Sequence, residues 1–318
     1  MSAQPTTTEA RPAVTGVKPS LISLIRRDRA WIIMMILPML YFALFRYLPL
    51  YGMVIAFKDY SVGRGILGSE WVGLKWFLQF FNSIYFWRLV RNTFLISFYM
   101  MLFGFPVPIL FALCLNEVRS VGFRRTVQTV SYLPYFISVV VVVGIMVNFV
   151  SINGGIINVI IARLGGTPVN FMNEVGWFRP MYVLSEIWQD FGFGSIIYLA
   201  AIAGIDEELY DAAEVDGCSR WQRIRYVTLP GISATIIILL ILRSGRMFTV
   251  GFEKILLMYS GVTYEVADVI STYVYRRGIL SGEYSFGAAV GLFDSVINVA
   301  FLLLFNHIAR KLSDTSLW

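Results

Sequence analysis

The chain has 318 residues, 57% of them apolar and only 14% charged, with a formal net charge of +6. Soluble globular chains carry about 45–50% apolar and about 25% charged residues, so this composition excludes a water-soluble domain and points to an integral membrane protein. Cys114 and Cys218 lie far apart and suggest neither a disulfide framework nor a zinc site. His307 is the only histidine, which argues against metal or acid–base chemistry built on imidazole, and no GxxxxGK[ST] phosphate loop occurs.

Residues 1–20 are rich in Ser, Thr, Pro and Ala, and 1–25 are expected to form a flexible cytoplasmic tail. Arg26, Arg27 and Arg29 then precede an apolar run far longer than the core of a signal peptide, so the first span is expected to stay in the mature protein. A spanning helix needs about 20 mostly apolar residues. Six stretches qualify: 31–53, 89–115, 130–149, 181–204, 231–250 and 286–308. The expected fold is an all-α integral membrane domain over 26–312 with six transmembrane helices, followed by a short tail at 313–318. Pro106 and Pro108 predict a kink in the second span.

An even number of spans puts both termini on one side. Lys and Arg divide evenly between the two sides, but Arg26/Arg27/Arg29, Arg119/Arg124/Arg125 and Arg310/Lys311 sit against span ends. That is where the positive-inside bias acts, and it favours cytoplasmic N- and C-termini.

Between the fourth and fifth spans lies a polar island, 205–230. Asp206 fits an N-cap, with Glu207 and Glu208 in the first turn where the helix dipole favours carboxylates. Leu209, Ala212, Ala213 and Asp216 fall on related faces. Gly217 suits the residue after the helix. Ser219 and Gln222 fit a capping box that starts a second short helix, with Trp221, Ile224 and Val227 as its apolar positions. Pro230 is expected to open the fifth span. A plain connector would need only a few residues; this one is capped at both ends and reads as a rigid knob at the membrane surface.

The island resembles the EAA motif of the permease subunits of binding-protein-dependent ABC importers. The family pattern is E-A-A, three residues, G, nine residues, I-x-L-P. Here it reads Asp211-Ala212-Ala213, three residues, Gly217, nine residues, Val227-Thr228-Leu229-Pro230. Asp211 stands for Glu and Val227 for Ile. The stretches YLPLYGMVIAFKDY, FEKILLMYS, DVISTYVYRRG and AVGLFDSVINVAFLLLFN are similar to the carbohydrate and polysaccharide branch. The resemblance implies that the loop is a cytoplasmic coupling helix seated on a separate ATPase dimer, which would bind ATP and Mg; this chain would bind no cofactor. Glu208, Leu209, Asp211, Ala212, Ala213, Asp216, Gly217, Trp221, Leu229 and Pro230 would carry the coupling. It also implies a second, non-identical permease subunit, an extracytoplasmic solute-binding protein, the bacterial cytoplasmic (inner) membrane as location, and import of an oligosaccharide or polysaccharide by alternating access. No nucleic-acid partner is expected. An ion-coupled secondary transporter or channel subunit is the rival reading; a membrane enzyme lacks a catalytic constellation.

Ionisable residues inside spans are functional candidates. Glu186 and Asp190 share a face of the fourth span, Arg243 and Arg246 lie late in the fifth, and Asp294 and Asn298 share a face of the sixth. At about 1.5 Å per residue, Arg243 lies about 18 Å from one surface and Glu186 and Asp294 about 8–12 Å from the other. In a core about 30 Å thick these depths nearly meet. Two readings stay open: a salt-bridged lock between helices, or a polar wall of the substrate path. Trp188, Tyr198, Tyr259, Tyr273 and Tyr275 are candidate sugar-stacking aromatics. The excess of Arg243, Arg246, Lys254, Arg276 and Arg277 favours an acidic sugar such as a uronate oligomer, unless Glu253, Glu265, Asp268 and Glu283 neutralise it. No metal site is expected. The stretch 251–285 is too polar to span.

Overall fold

A computed structural model describes residues 27–312; the tails expected at 1–25 and 313–318 lie outside them. The chain divides into two compact units, one ending at Val54 and one beginning at Ile55. The described part of the first lies within one apolar helix, α1 (Arg29–Phe57), whose last turn falls in the second unit; no residue is buried over Arg29–Phe42. A helix apolar on every side suits a lipid solvent. Pro38 and Pro49 each remove a backbone donor. The winding changes along the same run, to a π-helix over Ala43–Tyr47 and a 3₁₀-helix over Leu48–Phe57.

The second unit begins with a two-stranded hairpin, β1 (Lys58–Asp59) and β2 (Glu70–Trp71), pinned by the Trp76 indole donating to the Lys58 carbonyl at 2.9 Å. The long helix α2 (Phe86–Asn116) follows. It contains a π-helical turn over Met100–Gly104, just ahead of Pro106 and Pro108. Both prolines lack the N–H that an α-helix needs there, and a π-turn absorbs the mismatch.

The third span is not the continuous helix that the apolar run 130–149 predicts. It is a bent pair, α3 (Val121–Phe136) and α4 (Val139–Val150), meeting at 101°. Pro134 ends the first regular stretch, and Ser138 restarts the chain by accepting the Val141 N–H. The freed Ile137 carbonyl accepts from the Gln189 amide at 2.9 Å. A break inside a membrane is tolerated where neighbouring protein satisfies the loose backbone.

Helix α5 (Val175–Ala203) is long and regular and packs most closely against α2. Phe111 and Phe191 meet edge to face at 4.9 Å, and Gly194 lies against Pro108. At Gly192 the α5 backbone touches the backbone of Ser131 on α3, leaving no room for a Cβ. Small residues of this kind bring membrane helices together, because lipid supplies no hydrophobic drive between them.

Two loop helices follow, α6 (Glu207–Val215) and α7 (Arg220–Gly231), and then α8 (Ser233–Ser244). The fifth span also departs from expectation. Pro230 does not open it: α7 runs through Pro230 to Gly231, using a π-turn over Ile224–Thr228, and α8 leaves at 60°. The helix then ends at Ser244, not Val250. The stretch 251–285 contains only short helices, including Phe252–Met258 and Ile270–Val274. Finally α9 (Tyr284–Leu312) crosses as one helix, its Gly287 packed backbone to backbone on Gly278. Among the described residues, three single helices are long and apolar enough to cross a membrane, and three bent pairs bring the total to six if each pair is one span.

Candidate functional site

The loop is ordered by bonds within its own sequence. The Asp206 carboxylate accepts the Glu208 N–H at 3.0 Å, capping α6. Gly217 closes that helix at φ +74°, with the Cys218 N–H reaching back to the Ala213 carbonyl at 2.9 Å. Both arms of the Ser219–Gln222 capping box form. The Tyr210 and Thr228 hydroxyls meet at 3.0 Å and Arg223 pairs with Glu214 at 3.5 Å, fastening α6 to α7. Of the proposed coupling residues, Glu208, Leu209, Asp211, Ala212 and Asp216 are exposed, while Ala213 is turned inward. Trp221 and Leu229 line an apolar groove against α2. Pro230 is exposed near the α7–α8 bend.

The second polar region is a cavity of about 240 Å³ whose wall includes Ser97, Tyr182, Glu186, Arg243, Arg246, Thr249 and Gly251. It forms where α8 stops. The Asn298 side chain accepts the Phe248 N–H at 2.8 Å, and the Tyr182 hydroxyl accepts the Gly251 N–H at 3.1 Å. These long-range bonds hold an unwound backbone that lines a cavity, the setting in which irregular backbone is tolerated inside a membrane. Arg243 reaches the Met100 carbonyl at 3.5 Å, approaching Gly104 within the π-turn of α2.

The charges do not pair as a lock among the fourth, fifth and sixth spans. Glu186 pairs instead with Lys254, at 3.0 Å, and Lys254 is 1% exposed. Residue spacing gave no hint of this pair, because Lys254 lies beyond the unwound stretch. Arg276 pairs with Asp268 at 2.7 Å, and Arg277 with Glu283 at 2.6 Å. The hydrogen bonds that Arg277 donates to the Glu283 carboxylate raise its guanidinium above its ordinary value. Arg88 joins Asp268 at 3.3 Å. Among the described residues, Arg243 and Arg246 make no ion pair within 4.0 Å, although Asp190 lies within electrostatic reach of Arg243. The basic excess thus shrinks to these two arginines, both on the cavity wall.

The other candidates scatter. Asp294 and Asn298 do bond, at 3.3 Å, but Asp294 is absent from the cavity wall and Asn298 acts on it through the Phe248 backbone. Tyr273 and Tyr198 are each 4% exposed and pack within apolar clusters. Trp188 faces a separate apolar groove with Met146 and Phe149. Tyr259 stacks on Tyr264 at 4.8 Å, with the Arg276 guanidinium 5.0 Å from the Tyr264 ring. Tyr275 meets Phe252 edge to face. Among the described residues no three His, Cys, Asp or Glu side chains gather as a metal site.

Known proteins resemble this chain in sequence and in fold. The family described as binding-protein-dependent transport system inner membrane component matches residues 104–314. Protein LplB of Bacillus subtilis (strain 168) is 42% identical over 319 residues, covering 100% of both chains. The polygalacturonan/rhamnogalacturonan transport system permease protein YteP of the same organism is 42% identical over 321 residues, covering 98% of this chain and 99% of its own. A solved chain from a bacterial alginate ABC transporter, in complex with an alginate pentasaccharide-bound periplasmic protein, has a TM-score of 0.86 and 43% identity, covering 93% of this chain and 99% of that one.

Proposed function

The chain belongs to the family of inner membrane components of binding-protein-dependent transport systems, and on that premise we propose that it forms half of the path by which an acidic oligosaccharide enters a bacterial cell. It is a permease subunit of an ABC importer for carbohydrate and not itself an enzyme. That class sets aside an ion-coupled transporter or channel. The single observation carrying the acidic substrate is the pair of arginines without ion partners, Arg243 and Arg246, on the wall of the cavity where α8 unwinds. Relatives point the same way: one solved transporter is described as importing the acidic polysaccharide alginate, and another relative is named for polygalacturonan.

A uronate carboxylate entering the cavity meets two guanidinium groups, whose planar donors suit carboxylates. Glu186 stays engaged with Lys254, which keeps its own charge from repelling the substrate. ATP and Mg belong to a separate cytoplasmic ATPase dimer. The exposed face of α6 docks on that ATPase, and its closure rocks this chain against a second, non-identical permease. A solute-binding protein delivers sugar from the opposite side. The loop and both termini are then cytoplasmic.

Uptake by proteoliposomes holding the complete transporter tests the reading. A uronate oligosaccharide should outcompete a neutral one of equal length. Arg243→Gln and Arg246→Gln should each lower uronate uptake about tenfold or more, as loss of a charge-assisted hydrogen bond of about 1.5–3 kcal/mol implies. Equal uptake of both sugars, unchanged in the variants, would sink the acidic assignment.

A further inference from the structure

Arg179 stands near the start of α5, at the end of that helix away from the 205–230 loop. A buried amide aims it. Asn92, on α2, is 0% exposed, and its Nδ2 donates to the Glu265 and Asp268 carbonyls at 2.9 and 3.0 Å. The amide oxygen is thereby turned to Arg179, whose Nη2 donates to it at 2.9 Å. Among the described residues, no carboxylate lies within 4.0 Å of the Arg179 guanidinium. The ionisable groups that act on it are a second cation, Arg91, and the Tyr99 hydroxyl. Arg88, by contrast, is taken up by Asp268. A half-buried guanidinium that is held in place and left without an acid is built to meet an anion from outside the chain.

Arg179 also lines a hollow of about 680 Å³, whose wall includes Tyr99, Phe103, Val183, Leu184 and Ile187. Phe103 and Leu184 are more than half exposed, so one side is open. Binding sites for small molecules are about 300–1,000 Å³, mostly apolar, with a few placed polar groups. The hollow follows α5 from Arg179 to Ile187, about 12 Å at the rise of a helix. Its inner end meets the polar cavity. Ile187 Cγ1 and Arg243 Nη2 lie 3.6 and 3.3 Å from the point where a Cβ on Gly104 would stand. Glycine there leaves room for the Arg243 guanidinium beside the hollow. The hollow therefore has a cation near each end, and its wall carries the Tyr99 and Phe103 rings, 6.3 Å apart. This pattern selects the occupant. A phospholipid carries its charge at one end only, and an apolar face of a second chain brings none. A uronate oligomer carries a carboxylate on every ring, and the C–H faces of its rings lie well on aromatic side chains.

We propose that Arg179 is a second carboxylate subsite for the acidic oligosaccharide, which lies along α5 with one uronate on Arg179 and another on Arg243. The subsite rests on the acidic-substrate reading above. In that reading sugar arrives from the side opposite the loop, where Arg179 stands, so Arg179 is met before Arg243.

The test is uptake by proteoliposomes holding the complete transporter, with three oligosaccharides of equal length: fully uronate, uronate at one ring only, and neutral. The same solute-binding protein loads wild type and variant, so a difference between them belongs to the permease. Arg179→Gln should lower uptake of the fully acidic chain about tenfold, as loss of one charge-assisted hydrogen bond implies. Uptake of the single-uronate chain should fall much less, because its carboxylate is held at Arg243. Arg179→Lys keeps the charge and should restore part of the lost uptake; a loss as deep as that of Arg179→Gln overturns the subsite. Equal falls for the acidic and neutral chains overturn it too, since they mark a structural role. Wild-type preference for the fully acidic over the neutral chain, with Arg179→Gln without effect, defeats the subsite alone and is the result if lipid or the second permease fills the hollow. Absence of that preference in the wild type defeats the acidic reading, and the subsite with it.

Discussion

The 205–230 loop and the polar cavity are both charged regions of an apolar chain, yet they are held in opposite ways. The loop is fastened by neighbours: Asp206 to Glu208, Ser219 to Gln222, Gly217 by its own backbone, and Tyr210 to Thr228 at the longest. The cavity is fastened by strangers in sequence: Asn298 to Phe248, Tyr182 to Gly251, Glu186 to Lys254. Local bonds make a part that keeps its shape while it moves as a whole. Long-range bonds make a part whose shape depends on how three helices sit together. The first suits a handle, the second a compartment that opens and closes.

The comparison can be broken hardest at the cavity. Glu186→Gln leaves the Lys254 ammonium buried without its ionic partner, and breaking a buried pair costs about 3–5 kcal/mol. The complex should unfold at a clearly lower temperature in a detergent thermal-shift assay. Replacing both partners by apolar residues of similar volume should recover most of that loss, as buried pairs elsewhere do. Recovery in the double variant separates pairing from packing.

Asn298→Ala comes next. It strips the acceptor from the Phe248 N–H, at about 1–3 kcal/mol for an unsatisfied buried donor. The effect should appear as faster hydrogen exchange at the 245–251 backbone, with exchange over α6 and α7 unchanged. Faster exchange at both places would contradict the independence of the two regions.

The smallest stability effect belongs to the loop. Gly217→Ala meets no atom within 4 Å, so its cost is the left-handed backbone alone, about 1–2 kcal/mol. The thermal midpoint should barely move. ATP hydrolysis per sugar imported should rise, because a misaimed α6 transmits less of the closure. Unaltered stoichiometry would remove the coupling role from this turn.

The same contrast explains what the sequence disclosed. Caps, the glycine turn and the motif spacing are all written within the loop, so it was legible to the residue, apart from Pro230, which sits inside α7. The third span was misread because Val130–Val150 is apolar on both sides of Pro134 and Ser138, and hydropathy does not register a 101° bend. The fifth span was misread for a related reason: Met247, Phe248 and Val250 keep the stretch apolar after the helix has ended. Approximate depth brought Glu186 and Arg243 to one level, and they do share a cavity wall. It could not foresee Lys254, whose position depends on the unwound turn, nor that Tyr273 points into the core.

One further consequence follows from the regularity of α5. Two of the bent pairs break within or at the start of a span, but α5 runs without interruption from the cavity at Glu186 to Ala203, beside the α6 cap. At 1.5 Å per residue that is a strut about 26 Å long. A regular helix hardly shortens under load, and Gly192 presses it against the Ser131 backbone partway along, where a rod needs its bearing. A displacement at the loop would therefore reach the acid that faces the cavity with little loss, through a single piece.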